Sequence, residues 1–172
     1  MIFKEPGKYS VAPYMSAKNY KKTLTSFVKY SVDIVFVDKN GNFLLGERRP
    51  NKAAAGTWFF GGQIPAFTAM KDQRKKIMKR EVSLRLPNSR YIYLGQMRYW
   101  FNKTENGKIP QDALSEVFAV VLTKREIAKI KLDEEEYVVD SLRTYNLKQI
   151  RKIKIPLARR VLLETWKRYH NK

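Results

Sequence analysis

The run Phe43-Leu44-Leu45-Gly46-Glu47-Arg48-Arg49, followed by Gly56-Thr57-Trp58-Phe59-Phe60-Gly61-Gly62 and then by a stretch from Ala69 to Leu86 free of Gly and Pro, decides how this chain folds. In the last stretch Met70, Ile77 and Leu84 recur every seven residues with Met78 and Val82 beside them. That spacing predicts a helix over 69–86, with Thr68 as its N-cap and Pro87 as its stop. Lys71, Arg74, Lys75, Lys76 and Lys79 would form its solvated, basic face. Upstream, Tyr30-Ser31-Val32-Asp33-Ile34-Val35-Phe36-Val37 is rich in β-branched and aromatic side chains. The turn residues Asp38-Lys39-Asn40-Gly41 join it to Asn42–Gly46, which reads as a hairpin. Trp58-Phe59-Phe60 reads as a third short strand, stopped by Gly61-Gly62.

Downstream, strands are expected over Arg90–Phe101 and Glu116–Leu122, separated by a loop holding Asn106-Gly107 and Pro110. A short helix follows at Lys124–Ile130. A closing amphipathic helix starts at Pro156, with Leu157, Val161, Leu162, Thr165, Trp166 and Tyr169 on its apolar side. Strands and helices alternate too irregularly for a doubly wound parallel sheet. The fold class is therefore α/β in the α+β sense, a mixed sheet between helices. A chain of 172 residues without repeats or a low-complexity linker suits one core. Residues 1–172 read as a single domain, with 1–12 a mobile extension.

The chain carries 35 Lys and Arg against 16 Asp and Glu, a formal charge of +19. That imbalance implies anionic company: nucleic acid, nucleotide phosphates or an acidic surface. Acid is gathered at Asp133-Glu134-Glu135-Glu136. With no cysteine and one histidine, His170 near the C-terminus, disulfide and thiolate chemistry, zinc clusters and a Ser-His-Asp triad are set aside. Apolar runs such as Val117–Leu122 are far too short to span a bilayer, and the N-terminus lacks a basic-then-apolar signal pattern. A cytoplasmic, reducing setting is the expectation.

The order strand, Gly-Gly loop, helix resembles the Nudix hydrolases, whose box runs Gly, five residues, Glu, seven residues, Arg-Glu-U-x-Glu-Glu-x-Gly-U, with U a bulky aliphatic. Set on Gly62, that register puts Thr68 at the first Glu, Lys76 and Ile77 on Arg-Glu, Met78 on U, Arg80 and Glu81 on Glu-Glu, and Leu84 on the last U. Gly62, Met78, Glu81 and Leu84 obey it. The GDP-mannose mannosyl hydrolase branch departs from the box at the same two glutamates, here Ile77 and Arg80, and keeps the one at Glu81. Ser31-Val32-Asp33, the Leu-Leu-Gly-x-Arg run at 44–48, Leu84-Arg85-Leu86-Pro87 and the late acidic segment also resemble that branch. The resemblance covers roughly residues 15–145.

What the resemblance implies is a Nudix-type sandwich and a magnesium-dependent hydrolase, with Mn²⁺ able to stand in, that releases free sugar from GDP-mannose or GDP-glucose. Water attacks the anomeric carbon and GDP leaves, so fewer carboxylates are needed than for attack at phosphorus. Carried over by position, the metal ligands are the Gly61 carbonyl, Glu81 and Glu135. The catalytic residues are Asp33, Arg48, which stabilises the leaving diphosphate, and Glu136, the general base. Glu135 and Glu136 stand where the branch has Gln-His, and a carboxylate that activates water opposite a sugar leaving group is how inverting glycosidases act. Gln63 replaces an Arg that holds the diphosphate, so Arg49, Lys52 and Arg98 are candidates to supply that charge. Trp100 is a candidate to stack the base. The branch is dimeric, which implies a homodimer.

From the residues alone, Asp33 among Val32, Ile34 and Val35 is a carboxylate too costly to bury without a partner, and that marks it for function. A rival reading is a Nudix-fold protein without catalysis that binds RNA or nucleotides through its charge. A third, cleavage at phosphorus, is opposed by the missing glutamates at Thr68, Ile77 and Arg80.

Overall fold

A computed structural model describes residues 16–52, 54–102 and 110–172; the expected mobile start and the Asn106-Gly107 turn lie outside the described residues. The hairpin forms between β1 (Lys29–Val37) and β2 (Phe43–Arg48), with Phe36 opposite Leu44 and Val37 opposite Phe43. Asp38 closes its turn. Its Oδ1 accepts the N–H groups of Asn40 at 2.8 Å and Asn42 at 2.9 Å, while Gly41 takes the left-handed φ of +81° that the turn requires.

Trp58-Phe59-Phe60 does not make one strand. It divides at Phe59 into β3 (Gly56–Trp58), paired with β2, and β4 (Phe60–Gln63), paired with β1. Gly61 and Gly62 lie inside β4 instead of stopping it, opposite Asp33 and Val32. The reason is steric: a Cβ on Gly61 would sit 2.0 Å from Asp33 Oδ1 and 2.6 Å from the Val32 carbonyl oxygen.

The sheet runs β3-β2-β1-β6-β5, where β5 is Ile92–Phe101 and β6 is Gln111–Val121. β4 joins the first half of β1, and β7 (Arg143–Tyr145) joins β2. β1 and β6 are parallel and the other pairs antiparallel, which makes the sheet mixed. Alternation along β1 then builds two cores. Val35 and Val37 pack with Val161 and Leu162 of the closing helix α5 (Pro156–His170). Val32, Ile34 and Phe36 pack with Ile77, Met78 and Val82 of α2 (Met70–Val82). The expected sandwich is present. Elements not anticipated include α1 (Ala17–Ser26), β7, α4 (Leu147–Arg151) and a 3-10 turn at Asn88–Arg90, where the strand was expected to begin. α3 (Lys124–Ile127) is shorter than expected. Among the described residues no helix is long and apolar enough to cross a membrane.

α2 departs from expectation at both ends. Ala69 takes the cap position without a side-chain bond, and the Thr68 hydroxyl is buried with no partner, one residue too early to reach the first free N–H groups. The helix stops at Val82, because Ser83 turns left-handed with φ 57°. Leu84 and Leu86 still reach the core, on an extended segment. Arg74 is not part of the solvated face. It lies one turn from Ile77 on the sheet side, with its guanidinium 4.3 Å from the Phe118 ring centre and 4.6 Å from that of Tyr91.

Candidate functional site

The segment after α3 turns at Asp133 and runs back against the end of β2. The Asp133 N–H bonds the Glu81 carbonyl at 3.0 Å, the Arg49 N–H bonds the Glu136 carbonyl at 3.0 Å, and the Val138 N–H bonds the Glu47 carbonyl at 2.8 Å. Arg48 and Tyr137 form a bridge there. These backbone bonds tie the acidic turn to both the helix and the sheet. Asp33, Glu81, Tyr137, Arg48, Glu136 and Lys52 form one connected set as a result.

Glu81 is 1% exposed. Its Oε2 accepts the Gly61 N–H at 3.0 Å and the Tyr137 hydroxyl at 2.8 Å, and its Oε1 accepts Arg80 Nη2 at 2.5 Å. Burial raises its proton affinity more than Arg80 and Arg48 lower it. Tyr137, fully buried with its ring tilted against Phe60, is the residue of this cluster that sequence reasoning missed. Its only signal was an aromatic directly after four acids.

Asp33 is 7% exposed, across the β1–β4 pair from Gly61. Burial pushes its carboxyl up to about 7, the Ser115 hydroxyl and the Arg48 charge oppose the rise, and the Glu81 charge adds to it. The buried hydroxyls of Ser115 and Tyr99 flank it and favour its charged form, although neither makes a hydrogen bond of full geometry among the described residues. Gly61→Ala is expected to drive a methyl into this carboxyl. The loss of stability should reach roughly 3 kcal/mol or more, as for overpacking against a backbone that cannot yield. Urea unfolding measures it, and a change below about 0.5 kcal/mol would mean that β4 shifts freely.

Glu136 sits between two cations, 2.7 Å from Arg48 Nη2 and 2.8 Å from Lys52 Nζ. Burial would raise its proton affinity, but Lys52 and Arg48 hold it below the usual carboxylate range. Arg48 keeps its buried Nε without a partner among the described residues. Arg49 bonds the Glu134 carbonyl at 2.5 Å through Nε. Gln63 stays beside Gly62 in β4, its carbonyl taken by Gln73 Nε2 at 2.6 Å.

Other expected residues are not brought in. Glu135 is exposed in the acidic turn, its N–H bonded to Asp133 Oδ1 at 3.0 Å. Arg98 pairs with Asp112 at 3.0 and 2.5 Å and lies 5.8 Å from the ring centre of Trp100, which is 73% exposed. Both are on β5, with β6 and β1 between them and β4. Trp100 pairs with Asp112, whereas Asp33 pairs with Val117 further along the same strand, an offset of about 17 Å along the sheet.

Among the described residues no three carboxylate or imidazole groups converge on a point, so the chain alone supplies no closed metal cage. Its donors near Glu81 are nevertheless hard oxygens, and Glu81 uses three of the roughly four acceptor positions of a carboxylate. One position remains. That suits a Mg²⁺ ion which keeps several waters and is held partly by substrate phosphates.

No protein-family model matches the sequence, and no curated protein matches it. Solved structures do. The chain is similar to a MutT protein from Methanosarcina mazei Go1 at 20% identity, covering 87% of this chain and 100% of that one, with a TM-score of 0.65. It is similar to the NUDIX domain of Shewanella oneidensis NrtR complexed with ADP ribose at 12% identity, covering 92% and 100%, with a TM-score of 0.58. A C. elegans Ap4A hydrolase binary complex aligns at 11% identity over 84% of this chain and 96% of that one, with a TM-score of 0.59. At these identities the likeness is one of fold, and the fold is that of the Nudix proteins.

Proposed function

We propose that this protein hydrolyses nucleoside diphosphate sugars, with water attacking the anomeric carbon and the nucleoside diphosphate leaving. The observation that carries the reading is Asp33: a buried carboxyl poised at about 7, packed on Gly61 and under the charge of Arg48. A group that titrates near neutrality can take a proton from water at working pH. A diphosphate leaves as a stable anion and needs no acid. The water oxygen forms a bond to C1, the C1–O bond breaks with its electron pair going to the β-phosphate, and the water proton goes to Asp33. Direct attack gives the sugar with inverted configuration.

Arg48 and Lys52 receive the diphosphate in this scheme. Glu136 now lies between them as an anion, and a phosphate oxygen would compete for the same two donors. The two cations make Glu136 a weak base, so its part is to hold Arg48 and Lys52 in place. Mg²⁺ would be held by Glu81 and the Gly61 carbonyl, with substrate phosphates and water in place of the exposed Glu135, and would neutralise charge on the diphosphate. The solved structures with this fold that carry ADP ribose or are named Ap4A hydrolase support a nucleoside diphosphate or polyphosphate as ligand class.

Incubation with GDP-mannose, GDP-glucose and nucleoside triphosphates in the presence of Mg²⁺ tests the reading. Free sugar and GDP are expected from at least one nucleotide sugar. Sugar 1-phosphate with GMP would instead place the attack at phosphorus, and absence of turnover on every substrate would leave a binding protein.

A further inference from the structure

The catalytic reading uses few of the 35 basic residues, and α2 carries a set of them on the side away from Glu81. Lys71, Lys75, Lys76 and Lys79 are all exposed on this helix, and Arg85 is exposed on the extended segment that follows. None of the five takes part in an ion pair among the described residues. Asp72 is the one acid on the exposed side of α2, since Glu81 is buried. Lys75, Lys76, Lys79, Arg85, Leu86 and Pro87 line an open groove of about 560 Å³.

Helix stability does not account for this arrangement. Lys71 with Lys75, and Lys75 with Lys79, are like-charge pairs at i,i+4, each unfavourable by roughly 0.2–0.5 kcal/mol. Lys79 and Arg80 in the last turn interact well with the helix dipole, but Lys71 lies in the first turn of α2, where a cation is disfavoured. A solvated face would be better served by mixed charge. An anionic partner would remove the repulsion.

We propose that this groove binds the phosphodiester backbone of single-stranded nucleic acid. The cations run from Lys71 to Lys79, about 12 Å along the helix, and continue to Arg85; that row suits a succession of phosphates better than one diphosphate. Leu86 and Pro87 give the groove an apolar floor beside its charged wall, as in channels that track a single strand. Among the described residues no buried polar side chain lines the groove to orient a small ligand, so recognition is of backbone charge and is shared by RNA and DNA. The surface is separate from the Asp33–Glu81 cluster, and its test does not depend on hydrolysis.

The test is fluorescence anisotropy of the full chain with labelled fifteen-nucleotide oligo-U and oligo-dT, titrated between about 50 and 200 mM salt. The Lys75→Glu/Lys79→Glu variant is compared with Lys148→Glu/Lys152→Glu, an equal charge change at exposed positions of α4 and its C-cap, on the other face of the sheet. Both variants alter exposed residues, and matched melting curves check that they fold. The groove variant is expected to bind both oligonucleotides about tenfold or more weakly, with a log–log salt slope shallower by about 1.4, as for two lost phosphate contacts. The α4 variant should stay within about threefold of the parent. Equal losses in the two variants would mean diffuse attraction by net charge and would overturn the proposal. So would an unchanged affinity in the groove variant, or binding to phosphatidylglycerol vesicles with none to the oligonucleotides.

Discussion

Asp33→Asn is expected to abolish sugar release and, at pH 8, to make the protein more stable. The folded carboxyl titrates at about 7 and the unfolded one near 3.8. Between these values the folded chain holds a proton that the unfolded chain has lost, so stability falls as pH rises through this window and is level above it. The ceiling on that loss is about 4 kcal/mol, from about 3 units at 1.36 kcal/mol each. Asn does not ionise, keeps the size of the side chain and can meet the flanking hydroxyls of Ser115 and Tyr99. At pH 8 the variant should therefore melt higher by roughly 10 °C, and near pH 4 by little. In the parent, kcat/KM should rise with pH through about 7, the value of the free base. Loss of a general base costs about 10²–10⁴-fold in rate. Glu136→Gln should instead raise KM more than it lowers kcat, because Glu136 only orients Arg48 and Lys52. A gain in melting temperature equal at both pH values would show that Asp33 is not the buried acid that titrates. A pH profile unchanged in slope through 7 would remove it from the chemistry.

Much of the fold was legible because its signals are local. The heptad of Met70 and Ile77 gave α2, and the turn chemistry of Asp38 and Gly41 gave the hairpin. The errors share a cause. Gly61 and Gly62 read as a stop because glycine usually ends strands, yet here the missing Cβ makes room for a carboxyl from the neighbouring strand. Leu84 fits the helical repeat and is buried, but it reaches the core on extended backbone after Ser83 turns left-handed. In the site, Asp33 stood out as an acid in an apolar strand, and Glu81 and Arg48 followed from the register of a resemblance. Tyr137 could not be read, since its place beneath Glu81 comes from backbone pairing between the acidic turn and β2. Arg98 and Trp100 were chosen for the chemistry of their side chains alone, and their strand lies at the opposite edge of the sheet from the Gly61–Glu81 contact.

Glu81 is the residue whose removal should damage the protein most, and the kind of replacement decides what the damage means. Glu81→Ala strands the Gly61 N–H, the Tyr137 hydroxyl and one side of Arg80 around a new cavity. Leaving the Gly61 N–H and the Tyr137 hydroxyl without their acceptor costs about 1–3 kcal/mol each, together a large part of the stability of most domains. Glu81→Gln should behave differently. Its carbonyl oxygen can still accept from Gly61 and Tyr137, and it lifts the cost of burying a charge, a cost seen in the raised proton affinity of Glu81. Arg80 is 52% exposed and can turn to water. Stability of the Gln variant is therefore expected within about 1 kcal/mol of the parent at neutral pH, measured by urea unfolding of both variants. If Gln instead proves as damaging as Ala, the negative charge that Glu81 presents to the Gly61 N–H is what holds α2 to β4. With the fold retained in Glu81→Gln, turnover isolates the charge: its loss means that the carboxylate acts on the diphosphate or its metal. Full turnover would make Glu81 a support for Gly61 and Tyr137, and leave the chemistry to Asp33 and Arg48.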